Sequence, residues 1–131
     1  MNFFEGTIER RKTMTFAESG GGIRLPIQKK DQATLKEYIG KQLTLGLRPE
    51  QFSYGSGSKS NAARTIAKVT VEVVEPMWNE TYLYFSTRKD GHQFVARVAS
   101  DKEPSVGKPL DLAFDMGHAH FFNMETEQAV S

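Results

Sequence analysis

The stretch Leu43-Thr-Leu-Gly-Leu-Arg-Pro-Glu-Gln51 decides the fold, because an apolar alternation in it runs directly into a proline. Leucine occupies every second position from 43 to 47, which is the pattern of a half-buried β-strand. Pro49 has no N–H to donate and forces Arg48 into an extended conformation, so we expect the strand pairing to end there. Arg48 and Glu50 are then predicted to lie at a fixed corner of a sheet.

A second stretch ends in the same way. Valines at 69, 71 and 73 alternate with polar residues, Glu75-Pro76 stops the pattern, and Glu80 follows shortly after. Two strands that each end in a charged residue and a proline predict two rigid, charged corners. Such corners suit a docking surface better than a flexible loop would.

Short strands recur along the rest of the chain. Apolar residues alternate with polar ones in further segments, at 3–9, 14–16, 23–27, 66–74, 81–86, 94–98 and 110–114. Pro26 marks its segment as an edge strand. The only helix candidate spans 31–40, with Asp31 as its N-cap and Gly40 at its C′ position. Many short strands with one short helix predict a mainly β fold, either an OB-like barrel or two interleaved OB-like units.

The composition excludes several classes of protein. The 131 residues carry 17 basic and 16 acidic side chains, a net charge of +1, whereas a duplex-DNA binder needs excess cations to neutralise phosphates. There is no cysteine, so disulfides and thiolate metal sites are excluded. No apolar run approaches the ~20 residues of a membrane-spanning helix, and the N-terminus lacks the pattern of a signal peptide. We therefore expect one soluble, cytosolic domain that binds no nucleic acid.

No motif predicts a catalytic residue or a bound cofactor. Gly55-Ser-Gly-Ser-Lys-Ser60 resembles a phosphate-binding loop in composition, but a serine precedes Lys59 and no helix pattern follows, so a flexible loop is favoured. A strained G-x-S-x-G nucleophile turn is absent. The carboxylates that could form an acid–base pair show no spacing that implies one: Glu5, Glu9, Glu75 and Glu80.

Two weaker possibilities remain open at this point. His118 and His120, with Asp115 nearby, could bind a metal if the segment is extended, but a turn with one histidine satisfied by a backbone carbonyl is favoured and we expect no metal site. A set of aromatic residues could form a stacking platform for bases or sugars, although strand aromatics more often belong to the core: Trp78, Tyr82, Tyr84 and Phe94.

An ordered set of motifs carries a family resemblance over essentially the whole chain. The motifs are Met1-Asn-Phe-Phe-Glu-Gly6, Leu45-Gly-Leu-Arg-Pro-Glu-Gln51, Val73-Val-Glu-Pro-Met-Trp-Asn-Glu-Thr81, Phe94-Val-Ala-Arg97, Leu112-Ala-Phe-Asp115 and His120-Phe-Phe122. Together they resemble the C-terminal regulatory domain (TOBE, transport-associated OB) of sugar-importer ABC ATP-binding subunits of the maltose and glycerol-3-phosphate type. Trp78 departs from this pattern, since the family usually has a small residue there, and Gln51 replaces a commoner histidine.

The resemblance implies a role without chemistry for residues 1–131. It predicts a fragment that lacks the nucleotide-binding domain, so ATP and Mg²⁺ would be bound elsewhere in the parent subunit and this fragment would not be an enzyme. It also implies a homodimer, membrane permease partners reached through the missing domain, a possible cytosolic regulator, and a cytoplasmic, peripheral location at the inner face of the membrane. By analogy, the contact surface comprises Arg48, Pro49, Glu50, Glu75, Trp78, Glu80 and Thr81. The main alternative is an OB module that binds a small oxyanion or sugar, and a second is a single-strand nucleic-acid binder.

Overall fold

The computed structural model describes residues 1–55, 64–89, 91–100 and 104–130, which form ten strands, one short α-helix and three 3₁₀ turns. In chain order these are β1 (Asn2–Arg10), β2 (Met14–Glu18), β3 (Arg24–Pro26), α1 (Lys29–Leu35), a 3₁₀ turn (Lys36–Tyr38), β4 (Gln42–Leu47), a 3₁₀ turn (Pro49–Gln51), β5 (Phe52–Tyr54), β6 (Arg64–Pro76), β7 (Glu80–Ser86), β8 (Gln93–Ala99), β9 (Pro109–Asp115), a 3₁₀ turn (Met116–His118) and β10 (His120–Asn123). Among these described elements, no helix has the length and apolar character to cross a membrane.

The strands form two antiparallel sheets of five strands each. Sheet A has the order β10-β4-β1-β2-β3, and sheet B has the order β5-β9-β6-β7-β8. The chain passes from sheet A to sheet B through the turn Pro49–Gln51 and returns through the turn Met116–His118. The outer strands β5 and β8 of sheet B approach each other, so this sheet curls into a half-barrel. The predicted mainly β, OB-like fold is confirmed, as is the edge position of the strand that carries Pro26.

Apolar side chains from both sheets share one core. Phe4 of sheet A stacks on Phe94 of sheet B, with ring centroids 4.0 Å apart and an interplanar angle of 20°. Phe114 lies 6.0 Å from Phe4 and also contacts Phe52, so the aromatic cluster reaches β5. Aromatic pairs of this kind add about 0.5–1.5 kcal/mol beyond the burial of their area. This aromatic cluster therefore holds the two sheets together.

Asn2 joins the two sheets through hydrogen bonds. Its Nδ2 donates to the carbonyl oxygens of Leu47, at 3.2 Å, and Val95, at 2.7 Å, while its Oδ1 accepts from the Val95 N–H at 2.8 Å. Because β8 is an outer strand of sheet B, these backbone groups of Val95 have no partner on that side among the described strands. The buried amide of Asn2 completes their hydrogen bonding.

The helix begins earlier than the sequence predicted. Gln28 occupies the N-cap position of α1, and the Asp31 N–H already donates to the Gln28 carbonyl oxygen at 2.9 Å. Asp31 is therefore a buried first-turn residue rather than the N-cap, and its carboxylate lies 3.5 Å from Lys30 Nζ. The predicted role of Gly40 agrees with its φ of +83°, which favours glycine where the helical segment ends.

A bulge in β6 changes which valines face the core. Val71 pairs with Phe85 and Val73 pairs with Tyr84, so Glu72 is left over between them. One extra residue turns the following side chains to the other face of the strand. The prediction that Val73 continues the buried alternation is therefore wrong: Val73 is 44% exposed, and Val74 packs against the core instead.

Other differences concern the segment after Gln51. The polar sequence Tyr54-Gly-Ser-Gly-Ser-Lys-Ser-Asn61 predicts a loop, whereas Tyr54 ends the short strand β5 and is buried. Residues 56–60, which complete the loop that resembles a phosphate-binding motif, lie outside the described residues. The sequence Lys89-Asp-Gly91 predicts a hairpin turn, and its Asp90 also lies outside them. The hairpin that this turn was expected to close is confirmed by the pairing of β7 with β8.

Candidate contact surface

The first predicted corner, Arg48–Gln51, is a 3₁₀ turn that follows directly on β4. Arg48 is extended, with φ −78° and ψ 154°, as the proline after it requires. The Gln51 N–H donates to the Arg48 carbonyl oxygen at 3.0 Å, and the Arg48 N–H donates to Gln51 Oε1 at 2.8 Å. Both bonds close the turn, and the Arg48 and Glu50 side chains are left exposed. Gln51 thus has a structural task here as a hydrogen-bond acceptor.

The second corner, Glu75–Thr81, is the tip of the hairpin between β6 and β7. Pro76 pairs with Thr81, and the Met77 N–H donates to the Glu80 carbonyl oxygen at 2.7 Å, so the loop is tied at its base. Trp78 stands at the apex and is 97% exposed, beside Met77 at 50%. We call this segment the hairpin tip.

Strand β8 lies next to both corners. The turn Pro49–Gln51 packs against β8, and β8 pairs with β7 along its length. Arg97 on β8 lies with its Nε 3.5 Å from Glu80 Oε1, a half-exposed contact that fixes one carboxylate of the hairpin tip. Both corners therefore contact the same strand.

The seven predicted contact residues differ in what they present to solvent. Arg48, Glu50, Glu75 and Trp78 are exposed, and Pro49 and Glu80 are partly so. Thr81 is 4% exposed and lies on the inner face of β7 with Leu83, so its side chain supports the hairpin from within. The sequence does not assign Arg97 to the contact surface, because an arginine in the middle of an alternating strand is a common solvent-facing residue.

The other sequence candidates do not assemble into a catalytic or metal site. His118 Nδ1 lies 2.8 Å from Asp115 Oδ2, while the Gly117 N–H donates to Asp115 Oδ1 at 3.1 Å, so this carboxylate satisfies a turn. The favoured structural role of the histidine is supported, although its partner is a carboxylate. Within the described ranges, no group of three or more His, Asp or Glu side chains is placed to bind a metal ion.

The aromatic residues also divide between two roles. Phe94 is a core residue stacked on Phe4, whereas Tyr82 and Tyr84 lie half-buried on the opposite face of the sheet. Trp78 stands apart from all of these at the hairpin tip. The four aromatic side chains therefore do not form one stacking platform.

Two family models match the chain. The MalK OB fold domain matches residues 1–52, and the TOBE domain matches residues 45–122. Their junction falls on β4 and the Arg48–Gln51 turn, where the chain crosses from sheet A to sheet B.

Curated relatives match across almost the whole chain. The uncharacterized ABC transporter ATP-binding protein YcjV of Escherichia coli O157:H7 is 33% identical over 99% of this chain. The oligosaccharides import ATP-binding protein MsmX of Bacillus subtilis is 30% identical over 97%, and the multiple sugar-binding transport ATP-binding protein MsmK of Streptococcus mutans is 28% identical over 99%. The chain spans about a third of the length of these relatives, 33% in each case.

A solved structure shares the fold. The cytoplasmic molybdate-binding protein ModG superposes with a TM-score of 0.64, covering 92% of this chain and 94% of that one, at 15% sequence identity. This likeness concerns the arrangement of strands. The TOBE model covers more than half of the chain, and the MalK OB fold model covers strands β1 to β4 before it. The curated relative YcjV matches 99% of the chain. The chain therefore belongs to the TOBE domain family, in the form found in ABC transporter ATP-binding proteins.

Proposed function

We propose that this chain is the regulatory and dimerisation domain of the ATP-binding subunit of an ABC importer for sugars or related solutes. The observation that carries the proposal is that nearly the whole chain matches about one third of the length of ATP-binding proteins. Two of these relatives are named as sugar-import proteins. In this assignment ATP hydrolysis and Mg²⁺ binding belong to the rest of the subunit. The permease subunits of the membrane are reached through that missing part, which places the domain at the cytoplasmic face.

The hairpin tip supports a docking role for the domain. A tryptophan that is 97% exposed is unusual on a monomeric protein, because it leaves a large apolar area in water. Tryptophan and methionine are enriched in protein interfaces, and tryptophan is among the residues that most often dominate binding energy. Trp78 and Met77 are flanked by the carboxylates of Glu75 and Glu80, which supplies a polar rim around an apolar anchor.

We assign a second copy of the chain as the partner of this surface. A two-fold dimer uses the same patch on both subunits, so the patch must contain complementary groups. Arg48 and Glu50 at one corner, and the carboxylates and Trp78 at the other, provide both charges and an apolar anchor on elements that flank β8. In the full subunit this contact would hold two copies together, and a cytosolic regulator would bind on the part of the surface left free.

Association is testable on the chain itself. Trp78 is the only tryptophan, so its emission reports whether the hairpin tip is buried. Sedimentation over a concentration series should show self-association, accompanied by a blue shift of the emission. Trp78→Ser should weaken the association at least tenfold, about 1.4 kcal/mol, because it removes the anchor. Glu50→Lys should weaken it through reversal of one charge.

The matched control removes an exposed apolar side chain elsewhere. Ile66 is 39% exposed and lies on the same strand as the hairpin tip, roughly 30 Å from Pro76 along the strand. Ile66→Ser should associate like the wild-type chain. A chain that stays monomeric at every concentration, or a Trp78→Ser variant that associates normally, would contradict the assigned surface. Measurable ATPase activity of the pure chain would overturn the assignment as a regulatory domain.

A module that captures a small oxyanion or sugar is the alternative function. A thermal-shift screen with sugars, phosphate and molybdate distinguishes it, since a ligand that binds only the folded state stabilises it by an amount that grows with the logarithm of its concentration above Kd. Large, saturable stabilisation by one ligand, without self-association, would favour that alternative over the dimerisation role.

A further inference from the structure

A cleft at the other end of β7 from the hairpin tip has the chemistry of an anion site. It has a volume of about 250 Å³ and lies between β6 and the end of β7. Apart from Val69, its described lining residues are cationic or carry a hydroxyl: Lys68, Thr70, Ser86, Thr87, Arg88 and Lys89. No carboxylate is among the described residues that line it.

Strand register places three of these side chains next to one another. Thr70 and Ser86 are directly paired across β6 and β7, so their side chains lie on the same face of sheet B, about 5 Å apart at Cβ. Lys68 is two residues before Thr70 and therefore shares that face. Its side chain is 70% exposed and its Nζ lies 3.8 Å from Asp111 Oδ1, a distance that leaves the lysine available to a stronger acceptor.

Two further polar groups of the lining residues lack partners among the described residues. Oγ1 of Thr87 is buried and forms no hydrogen bond within the part of the chain that the structure describes. A buried hydroxyl without an acceptor is costly, and such groups call for an explanation, of which an absent ligand is one. Lys89 is exposed and forms no ion pair with any described residue. The guanidinium of Arg88, in contrast, lies against Gly20 in the turn between β2 and β3, so it is not counted among the groups that face an anion.

We propose that this cleft binds a phosphate-type dianion, either free or as the phosphate group of a small ester. The ammonium groups of Lys68 and Lys89 neutralise two negative charges, and the hydroxyls of Thr70, Ser86 and Thr87 donate to its oxygens. The volume corresponds to roughly eight water molecules at about 30 Å³ each, which exceeds one oxyanion and leaves room for a small organic substituent.

The site is tested by titration of the labelled chain followed by NMR, at constant ionic strength. Inorganic phosphate, a hexose phosphate and the unphosphorylated hexose are the probes. Saturable shifts confined to residues 68–70 and 86–89, produced by both phosphate compounds and not by the hexose, are expected. Equal affinity for inorganic phosphate and hexose phosphate would mean that the cleft recognises the phosphate group alone. Binding of the hexose phosphate at least tenfold more tightly would mean that the sugar also contacts the cleft. An absence of saturable shifts would overturn the proposal.

Charge variants separate a site from general attraction of anions. Lys68→Gln and Lys89→Gln should each weaken phosphate binding about tenfold, because each removes a charge-assisted hydrogen bond. Lys12→Gln, which removes an exposed lysine from the turn between β1 and β2, is the matched control and should bind like the wild-type chain. Equal weakening in all three variants would show nonspecific screening and contradict the site.

Thr87→Val tests the unpartnered hydroxyl without a change in shape. It should weaken phosphate binding about fivefold while the melting temperature of the free chain stays the same or rises, since the hydroxyl has no partner to lose. A lower melting temperature with unchanged binding would assign the hydroxyl a purely structural role and contradict the proposal. Trp78→Ser should leave phosphate binding unchanged, so failure of this site and failure of the dimer surface can be told apart.

Discussion

At the scale of single residues, the sequence pattern did not predict the role of Asn2. It stands at an inward position of β1 where an apolar residue would be expected, and its amide bonds to the backbone of Leu47 and Val95 in different sheets. A hydrophobic alternation cannot reveal this role, because the partners are backbone groups separated from Asn2 by many residues. The same limit explains why Gln51 was noted as a substitution and not as the acceptor that closes its turn.

Asn2→Ala should lower the free energy of unfolding by about 2–3 kcal/mol. The change leaves the partly buried N–H and carbonyl of Val95, and the buried carbonyl of Leu47, without the amide of Asn2, and a buried group without a partner costs about 1–3 kcal/mol. Urea denaturation followed by circular dichroism measures the loss. Asn79→Ala at the exposed hairpin tip is the control and should change stability by less than about 0.5 kcal/mol. Similar values for the two variants would mean that the amide of Asn2 does not connect the sheets.

At the scale of elements, the sequence predicted most of the strands. It was wrong about the register of β6 after its bulge and about the residue at which α1 begins. Alternation located β1, β2, β4 and β7 because each has one buried and one solvent face. The bulge in β6 has no local signature, since Glu72 is compatible with either register and the choice depends on pairing with β7. The start of α1 was misplaced for a related reason: Asp31 is a good N-cap by type, but burial against the core favours one more turn before it.

The two valines after the bulge give a paired test of its register. Val74→Asp should lower the free energy of unfolding by at least about 2 kcal/mol more than Val73→Asp, because only the first places a charge against the core. Chemical denaturation of both variants provides the comparison. Residue size and chemistry are identical in the two substitutions, so β-propensity cancels. A larger loss for Val73→Asp would show that the uninterrupted alternation is the correct register.

At the scale of the whole molecule, the sequence indicated the fold class and the two corners but not how they come together. The corners were predicted from Pro49 and Pro76, and both prolines lie where a strand ends, as expected. Their attachment to β8 follows from the curl of sheet B and from the crossing between sheets, which depend on contacts distant in sequence. The cleft at Thr87 was missed for the same reason, since its lysines and hydroxyls lie on two strands that only the register brings side by side.

The shared aromatic core predicts that the two sheets unfold together. Phe94 belongs to sheet B and stacks on Phe4 of sheet A, so Phe94→Ala removes a contact that both sheets need. The loss of a buried phenylalanine costs about 3–5 kcal/mol, and we expect it to appear equally in both sheets. Amide hydrogen exchange measures this strand by strand. Phe3→Ala, at a 53% exposed position beside Phe4, is the control and should cost about 1 kcal/mol or less. Faster exchange in β7 and β8 alone would mean that the sheets are separate folding units, each stable without the other's aromatic residues.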